Sequence, residues 1–228
     1  MEHLEVIKIG GKVIDQPGQL EKVLQAFAHI QGPKILIHGG GSKASEMERT
    51  LGLKPTMVDG RRITSSDALE VVTMVYAGLI NKTIVAKLQS FGCNAIGLSG
   101  PDGNSILSSK RPAKPIDFGF VGDVEKVNTS FIDIQLKSGL SPVFSAITHD
   151  GNGQLLNTNA DTMASVIASA FSGLYNVRLT LAFEIEGVLD EHVADGQDEQ
   201  ANARHAHEQI GEPLKVGMNL KLANGYFL

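Results

Sequence analysis

Two short apolar runs that each end in glycines constrain the fold of this chain more than any other feature. Residues 6–9 lead into Gly10 and Gly11, and residues 35–37 lead through one histidine into three glycines. A buried strand that opens into glycines just before a helix is typical of α/β proteins that bind anions through backbone amides. Lys8 lies within the first run and adds a cation there. The pattern predicts a cradle for a transferable phosphate.

Strand and helix patterns alternate along the rest of the chain. The predicted strands are residues 6–9, 34–37, 94–98, 142–147 and 177–181, and the predicted helices are residues 19–29, 43–51, 66–90, 129–139 and 161–172. This order predicts a three-layer αβα sandwich with a mainly parallel central sheet. Residues 100–127 are rich in glycine, proline and short β-prone pieces, which indicates an antiparallel hairpin layer over one end of the sheet.

The charge and cysteine content argue against several functional classes. A net charge of −5 with mixed signs gives no support to nucleic-acid or membrane-surface binding. The single cysteine, Cys93, lies in an apolar context and is interpreted as a small buried side chain in a reducing compartment. We expect a cytoplasmic protein without a signal peptide, because the longest apolar stretch, residues 71–80, is too short to span a bilayer.

The predicted helix over residues 66–90 is apolar around most of its circumference. A helix with one face on a sheet needs less apolar surface than this. Two interpretations stay open: a central helix packed on several sides, or a two-fold interface between subunits.

Two polar clusters could bind ligands. Residues 59–64 contain Arg61 and Arg62, whose guanidinium groups can grip a carboxylate bidentately or form surface salt bridges. Residues 157–161 read Asn-Thr-Asn-Ala-Asp before a helix, which fits a capping motif or side chains aimed outward. His205 and His207 lack further metal-ligating neighbours and are interpreted as surface histidines. No P-loop, no dinucleotide-binding glycine motif after the first strand and no hydrolase elbow occurs.

Together these pieces resemble the amino acid kinase family, because its motifs occur here in order. They are K-x-G-G at residues 8–11, H-G-G-G at 38–41, G-R-R-[IV]-T at 60–64, V-G-D-V at 121–124, N-x-N-A-D at 157–161 and G-M-x-x-K at 217–221. Six ordered motifs make the resemblance specific, and it is strongest from the first strand to about residue 172. Residues 57–62 and 71–76 look like the form found in Bacteroidetes-type bacteria.

The resemblance implies an ATP-dependent kinase of arginine biosynthesis. Its acceptor would be the γ-carboxylate of N-acetyl-L-glutamate or N-succinyl-L-glutamate, its product an acyl phosphate, and its active form a homodimer. Mg²⁺ would bridge the β- and γ-phosphates without a dedicated set of protein ligands.

Residue roles carry over by motif. Lys8 and Lys221 would flank the moving phosphoryl group, with Asp161 holding both ammonium groups. The implied binding residues are Gly10 and Gly11 for phosphate, Gly40 and Gly41 for phosphate and the acceptor carboxylate, and Arg62 and Asn157 for the α-carboxylate and amide of the acceptor.

One amino acid kinase domain over residues 1–228 is expected. Residues 1–172 would form mainly the acyl-amino-acid lobe and the dimer helix. Residues 173–228 would form a partial nucleotide lobe, because seven residues follow Lys221. The alternatives are another kinase of the fold, acting on carbamate, aspartate or uridylate, and a catalytically silent amino-acid sensor. Arg62 with Asn157 favours an α-carboxylate, and the set Lys8, Asp161 and Lys221 favours catalysis.

Overall fold

The computed structural model of the protein describes residues 1–183 and the strand Gly217–Leu222, whose backbone alone is considered below. The predicted surface histidines His205 and His207 lie outside the described residues, as does the loop that begins at residue 184.

Twelve strands and seven α-helices make up the described part of the chain. The strands are β1 (His3–Ile9), β2 (Lys34–His38), β3 (Met57–Val58), β4 (Arg61–Arg62), β5 (Ala95–Leu98), β6 (Ile106–Lys110), β7 (Gly122–Val127), β8 (Ser141–Ser145), β9 (Ile147–His149), β10 (Leu155–Asn157), β11 (Asn176–Phe183) and β12 (Gly217–Leu222). The helices are α1 (Gly11–Asp15), α2 (Pro17–His29), α3 (Gly41–Thr50), α4 (Ser66–Thr73), α5 (Asn81–Ser90), α6 (Thr129–Lys137) and α7 (Ala160–Phe171).

The central sheet has six strands in the order β12-β11-β1-β2-β8-β5, and every neighbouring pair is parallel. Helix α7 packs on β1, β2 and β11, α6 packs on β8, and α5 packs on β5 and β8 and contacts α2. Phe27, Phe144 and Phe171 are among the largest fully buried side chains of the core. The predicted αβα sandwich with a mainly parallel sheet is therefore confirmed.

A second sheet has four strands in the order β10-β9-β6-β7. It contains the predicted antiparallel hairpin, whereas β6 and β9 pair in parallel. Its hairpin pairs β6 with β7, and a register shift lies between Leu107 and Ser108.

The predicted strand over residues 142–147 is wrong in one respect, because it is two strands. Strand β8 ends at Ser145 in the central sheet, and β9 begins at Ile147 in the second sheet, where the Ile147 carbonyl accepts from Gly100 N at 2.7 Å.

The predicted long helix is one continuous helical stretch, Ser66–Ser90, with an unexpected centre. Its middle seven residues, Met74–Ile80, form a π-helical segment between α4 and α5. By length and composition alone this stretch could cross a membrane, unlike residues 71–80 considered by themselves, but half of its most apolar part is buried inside the protein, a pattern that core helices of soluble proteins also show. Met74 and Leu79 remain 57% and 50% exposed on the π-helical segment.

Candidate active site at the carboxyl end of the central sheet

A cleft of about 180 Å³ lies where β1 and β2 end, and most of the predicted site residues line it. The predicted residues brought together there are Lys8, Gly11, Gly40, Gly41, Arg62, Asn157 and Asp161. Gly10 immediately precedes Gly11 and is the N-cap residue of α1. Elements far apart in the chain therefore converge at one place, as the resemblance implied.

Lys8 and Asp161 form a buried ion pair at the base of this cleft. Lys8 Nζ lies 2.9 Å from Asp161 Oδ1, and the two side chains are only 5% and 7% exposed. Asp161 lies in the first turn of α7, where the helix dipole favours a carboxylate. The attraction between the two charges and the dipole of α7 together offset part of the free energy that is needed to bury both side chains.

Within residues 157–161, the residue that caps α7 and the residue that pairs with Lys8 are different. Asn159 caps α7, since its Oδ1 accepts from Thr162 N at 2.9 Å. Because Asn159 takes the capping role, the carboxylate of Asp161 is available to Lys8. The capping interpretation is confirmed at Asn159, whereas the Asp161 side chain is buried against Lys8 and is not aimed outward.

The two glycine turns lie side by side, as the sequence pattern suggests. A Cβ built on Gly11 would be 3.7 Å from Gly41 N, and Ser42 Oγ donates to Asp15, which joins α3 to α1. Gly40 has φ +150°, and a Cβ there would come within 2.2 Å of Ile80 Cδ1. Helix α3 begins at Gly41, so its first amide groups have no acceptor within the helix.

Arg62 reaches the cleft from a tight hairpin and is engaged by α3. Asp59 and Gly60 both have positive φ, the conformation that a two-residue Asp-Gly hairpin turn requires. Arg62 Nη2 donates to Gly41 O at 2.8 Å and to Ser45 Oγ at 2.7 Å. Its Nη1 forms an ion pair with Glu48, and both side chains are buried. The surface salt bridge considered for this arginine is therefore wrong, because its ion pair with Glu48 is internal. The bonds from Nη2 hold the start of α3, and the ion pair holds its last turns.

Arg61 and Arg111 add two cations to the cleft wall. Arg111 is held by Asp123, with Nε 3.1 and 3.2 Å from the two carboxylate oxygens, and its guanidinium lies 5.4 Å from the Phe118 ring centre. Burial and the charge of Arg111 lower the pKa of Arg61, and the charges of Asp123 and Asp59 oppose this lowering. Sequence reasoning missed Arg111, which lies in no motif. The only sequence feature that could have pointed to it is the motif at residues 121–124, which contains its partner Asp123.

Tyr76 is a second lining residue that sequence reasoning did not single out. It is buried on the π-helical segment, and burial raises the pKa of its hydroxyl while the nearby Arg62 opposes that rise. Its ring lies beneath Gly40, where a Cβ atom would be 3.2 Å from Tyr76 Cδ1. The aromatic ring thus forms part of the floor under the second glycine turn.

Asn157 joins the cleft to the second sheet. Its Nδ2 donates to Thr64 Oγ1 at 3.1 Å, and its backbone N donates to Phe120 O at 2.9 Å. Thr64 N in turn donates to Phe118 O at 2.9 Å. These bonds tie the hairpin of Arg62 to β10, the strand that precedes α7.

Lys221 belongs to β12, and its side chain lies outside the described residues. The parallel register pairs Ala182 of β11 with both Ile9 and Lys221. The backbone of Lys221 therefore lies at the same end of the sheet as Lys8, two strands away. Strand spacing makes that separation about 10 Å.

Within residues 1–183 and 217–222, no group of three or more His, Cys, Asp or Glu residues is arranged to hold a metal ion. Among the described residues that line the cleft, four are basic, Lys8, Arg61, Arg62 and Arg111, and one is acidic, Asp161. This excess of positive charge suits anionic ligands, such as phosphates that carry a bound metal ion.

The model of the amino acid kinase family matches residues 4–223 of this sequence. The chain belongs to the amino acid kinase family. This amino acid kinase is 55% identical to a protein named acetylglutamate kinase from Cytophaga hutchinsonii, across 99% of the chain and 87% of the relative. It is 47% identical to a protein of the same name from Phocaeicola vulgatus, across 99% of the chain and 88% of the relative.

A solved structure supports the same fold. The Streptococcus mutans protein smu.665 superimposes on this kinase with a TM-score of 0.70 at 25% identity, covering 83% of this chain and 76% of the other. The similarity extends over most of both molecules, so the two proteins share the fold described above.

Proposed function

We propose that this protein is an ATP-dependent kinase that phosphorylates the γ-carboxylate of N-acetyl-L-glutamate, a step of arginine biosynthesis. The observation that carries the proposal is the buried Lys8–Asp161 pair beside two adjacent glycine turns in a basic cleft. The names of relatives 55% and 47% identical over 99% of the chain point to the same reaction.

The chemistry needs little covalent assistance. A carboxylate oxygen of the acceptor attacks the γ-phosphorus, a new O–P bond forms, and the bond to ADP breaks. No proton has to move, because the attacking carboxylate and the departing ADP are both anions. The protein must bring two anions together and neutralise charge on the transferred phosphoryl group, which is the work of positioned cations and amides.

The chain's own residues divide that work. Lys8 neutralises charge on the phosphoryl oxygens, and Asp161 fixes the direction of its ammonium group. Lys221 is the second cation, brought from the neighbouring part of the sheet. Backbone amides bind the oxygens of phosphate at Gly10 and Gly11 and those of phosphate and acceptor carboxylate at Gly40 and Gly41.

Arg62 and Asn157 bind the α-carboxylate and the amide of the acceptor. Arg62 keeps its bonds to Gly41 and Ser45, and its Nε, buried and without a hydrogen-bond partner, supplies a further donor. Asn157 retains its amide oxygen for the substrate, because its Nδ2 is committed to Thr64.

Mg²⁺ would enter with ATP, and phosphate oxygens would supply most of its ligands, so that the metal would neutralise charge on the transferred group together with Lys8. We assign mainly the acyl-amino-acid lobe and the dimer helix to residues 1–172 and the nucleotide lobe to residues 173–228, within one domain.

The enzyme acts in the cytoplasm as a homodimer. Met74 and Leu79 are large apolar side chains exposed on this helix, which favours a subunit interface there. Leu79→Glu should shift sedimentation from dimer to monomer, whereas Ile134→Glu, at an exposed position on α6, should not. A wild-type monomer, or equal effects of both changes, would remove the dimer from the proposal.

The alternatives make different predictions in one assay. A coupled assay for ADP, with ATP and Mg²⁺, would compare N-acetyl-L-glutamate, N-succinyl-L-glutamate, carbamate, aspartate and uridylate. We expect an N-acylglutamate to give the highest kcat/KM, and the comparison of the first two identifies the acyl group. Faster turnover with another acceptor would indicate a different kinase of the fold, and binding without turnover would indicate the sensor.

A further inference from the structure

His38, the last residue of β2, is completely buried next to the cleft and touches no solvent. Its two ring nitrogens have different partners. Nδ1 lies 2.8 Å from the carbonyl oxygen of Gly39, and Nε2 lies 3.0 Å from Nδ2 of Asn81. Asn81, itself buried, is the first residue of α5 and directly follows the π-helical segment.

The partners of Asn81 determine which nitrogen of His38 carries the proton. Asn81 Nδ2 lies 2.9 Å from the carbonyl oxygen of Val143, which can only accept, and Oδ1 lies 3.1 Å from Lys82 Nζ, which can only donate. The amide NH₂ group therefore faces His38, so Nε2 accepts. Nδ1 must then hold the proton and donate it to Gly39.

The charge state of His38 agrees with this pattern. The pKa of His38 is lowered to about 4, mainly by burial; the hydrogen bond to Gly39 opposes this lowering, and the positive charge of Lys82 adds to it. Lys82 is kept in place by a second bond, to Gly97 O at 3.0 Å. The imidazole is thus neutral at physiological pH, with one donor and one acceptor, each used.

The bond to Gly39 orients the next amide group. The Gly39 carbonyl shares a planar trans peptide with the N–H of Gly40, so the two point in opposite directions. A carbonyl held toward His38 aims the Gly40 N–H away from it, within the turn that lines the cleft. Ile80 and Tyr76 support the other side of Gly40, where a Cβ would meet them at 2.2 and 3.2 Å.

We propose that His38 and Asn81 are positioning residues that hold the Gly39–Gly40 peptide in the orientation needed for phosphoryl transfer. The proposal rests on the proposed function. The hydrogen bonds of an ordinary core histidine have no consequence for a functional site. The bond from His38 Nδ1, in contrast, is accepted by Gly39, a glycine that lines the cleft. The π-helical segment brings Tyr76, Ile80 and Asn81 to the underside of one turn, and such segments occur frequently at functional sites.

Two substitutions separate positioning from packing. In His38→Asn the amide NH₂ replaces Nδ1, so the bond to Gly39 remains; in His38→Gln the polar group reaches toward Asn81 and the bond to Gly39 is lost. We expect His38→Asn to keep kcat within about 5-fold of wild type and His38→Gln to lower kcat by about 10- to 100-fold, with little change in KM for ATP. Leu88→Ala, a buried change on α5 away from the cleft, should lower the thermal midpoint without lowering kcat per folded molecule.

A readout independent of turnover comes from ¹⁵N NMR of the His38 ring. At pH 7 we expect a protonated Nδ1 and an unprotonated Nε2, and protonation of both nitrogens in Asn81→Asp, whose carboxylate favours the charged ring. A protonated Nε2 in the wild type, or equal kcat values for the two His38 variants, would overturn the proposal. A wild-type protein with no kinase activity would refute the proposed function instead, and the ring shifts would still decide the bond to Gly39.

Discussion

Lys8 on β1, one of the two middle strands of the central sheet, and Asp161 at the start of α7 meet at 2.9 Å, with both side chains almost fully buried. Neither charge would be stable alone in that position, because an unpaired buried ion loses its hydration without compensation. The pair therefore contributes both to the free energy of unfolding and to the chemistry of the site. The effect of a substitution on stability and its effect on activity must be measured separately.

Lys8→Met removes the cation while keeping most of the side-chain volume. We expect kcat to fall by about 10²- to 10³-fold, the usual loss when one charge-stabilising group is removed from a transition state. The free energy of unfolding should also fall by about 3–5 kcal/mol, because Asp161 is left buried and unpaired. Steady-state kinetics and urea unfolding measure the two effects.

The double variant Lys8→Met/Asp161→Asn is the control for this prediction. It should regain part of the lost stability, because no buried charge remains, and none of the lost activity. Near-normal turnover in Lys8→Met would remove Lys8 from the transferred phosphoryl group.

Arg62→Met should act mainly on the acceptor. We expect KM for N-acetyl-L-glutamate to rise by about 10- to 100-fold, the value of one or two charged hydrogen bonds, with KM for ATP little changed. Glu48→Gln is the matched control, because it removes the ion pair with Arg62 and leaves the guanidinium in place. Both variants should lose stability, but only the first should lose acceptor affinity; a rise in KM for ATP alone would reverse the placement of the two substrates.

Gly40→Ala should damage the second glycine turn. The positive φ disfavours any side chain, and the new methyl group would approach Ile80 Cδ1 to 2.2 Å. We expect a lower thermal midpoint and at least about a 10-fold loss of kcat. Gly18→Ala, whose Cβ would meet nothing within 4 Å, should leave both quantities close to wild type. Equal behaviour of the two variants would mean that the turn tolerates a side chain.

His38 makes stability depend on pH in a definite direction. The pKa of its imidazole is lowered to about 4 in the folded protein, whereas an unfolded chain has a value of about 6.5. The stabilisation by the neutral ring is complete above about pH 6.5 and is lost as the pH falls toward 4, because the unfolded chain then binds the extra proton. The whole shift corresponds to about 3 kcal/mol.

Urea unfolding at pH 4.5 and pH 7.5 measures this contribution. Wild type should lose more stability at the lower pH than His38→Asn, which has no titrating group at this position. The same loss in both proteins would assign the acid sensitivity to other residues.

Much of the fold could be predicted because its signals are local. The alternation of apolar strands and amphipathic helices identified β1, β2 and α7, and the two glycine turns were recognisable from a few consecutive residues. Lys8 and Asp161 were named as site residues because each lies in a short motif next to such an element.

The features that could not be predicted depend on contacts between distant segments. Glu48 became the partner of Arg62 through the packing of α3 on the hairpin, and Arg111 reached the cleft through the pairing of β6 with β7. The π-helical segment leaves no sequence periodicity that distinguishes it from an α-helix, since it is stabilised by what packs on either side. The role of His38 follows from the orientation of the Asn81 amide, which only the folded structure defines.

Trapping of the product with hydroxylamine tests the central claim most directly. An acyl phosphate reacts with hydroxylamine to give a hydroxamate, so wild type with ATP, Mg²⁺ and N-acetyl-L-glutamate should form the γ-hydroxamate in step with ADP, and Lys8→Met should form almost none. Formation of ADP without hydroxamate, or equal hydroxamate from both proteins, would contradict phosphoryl transfer to the acceptor carboxylate beside Lys8.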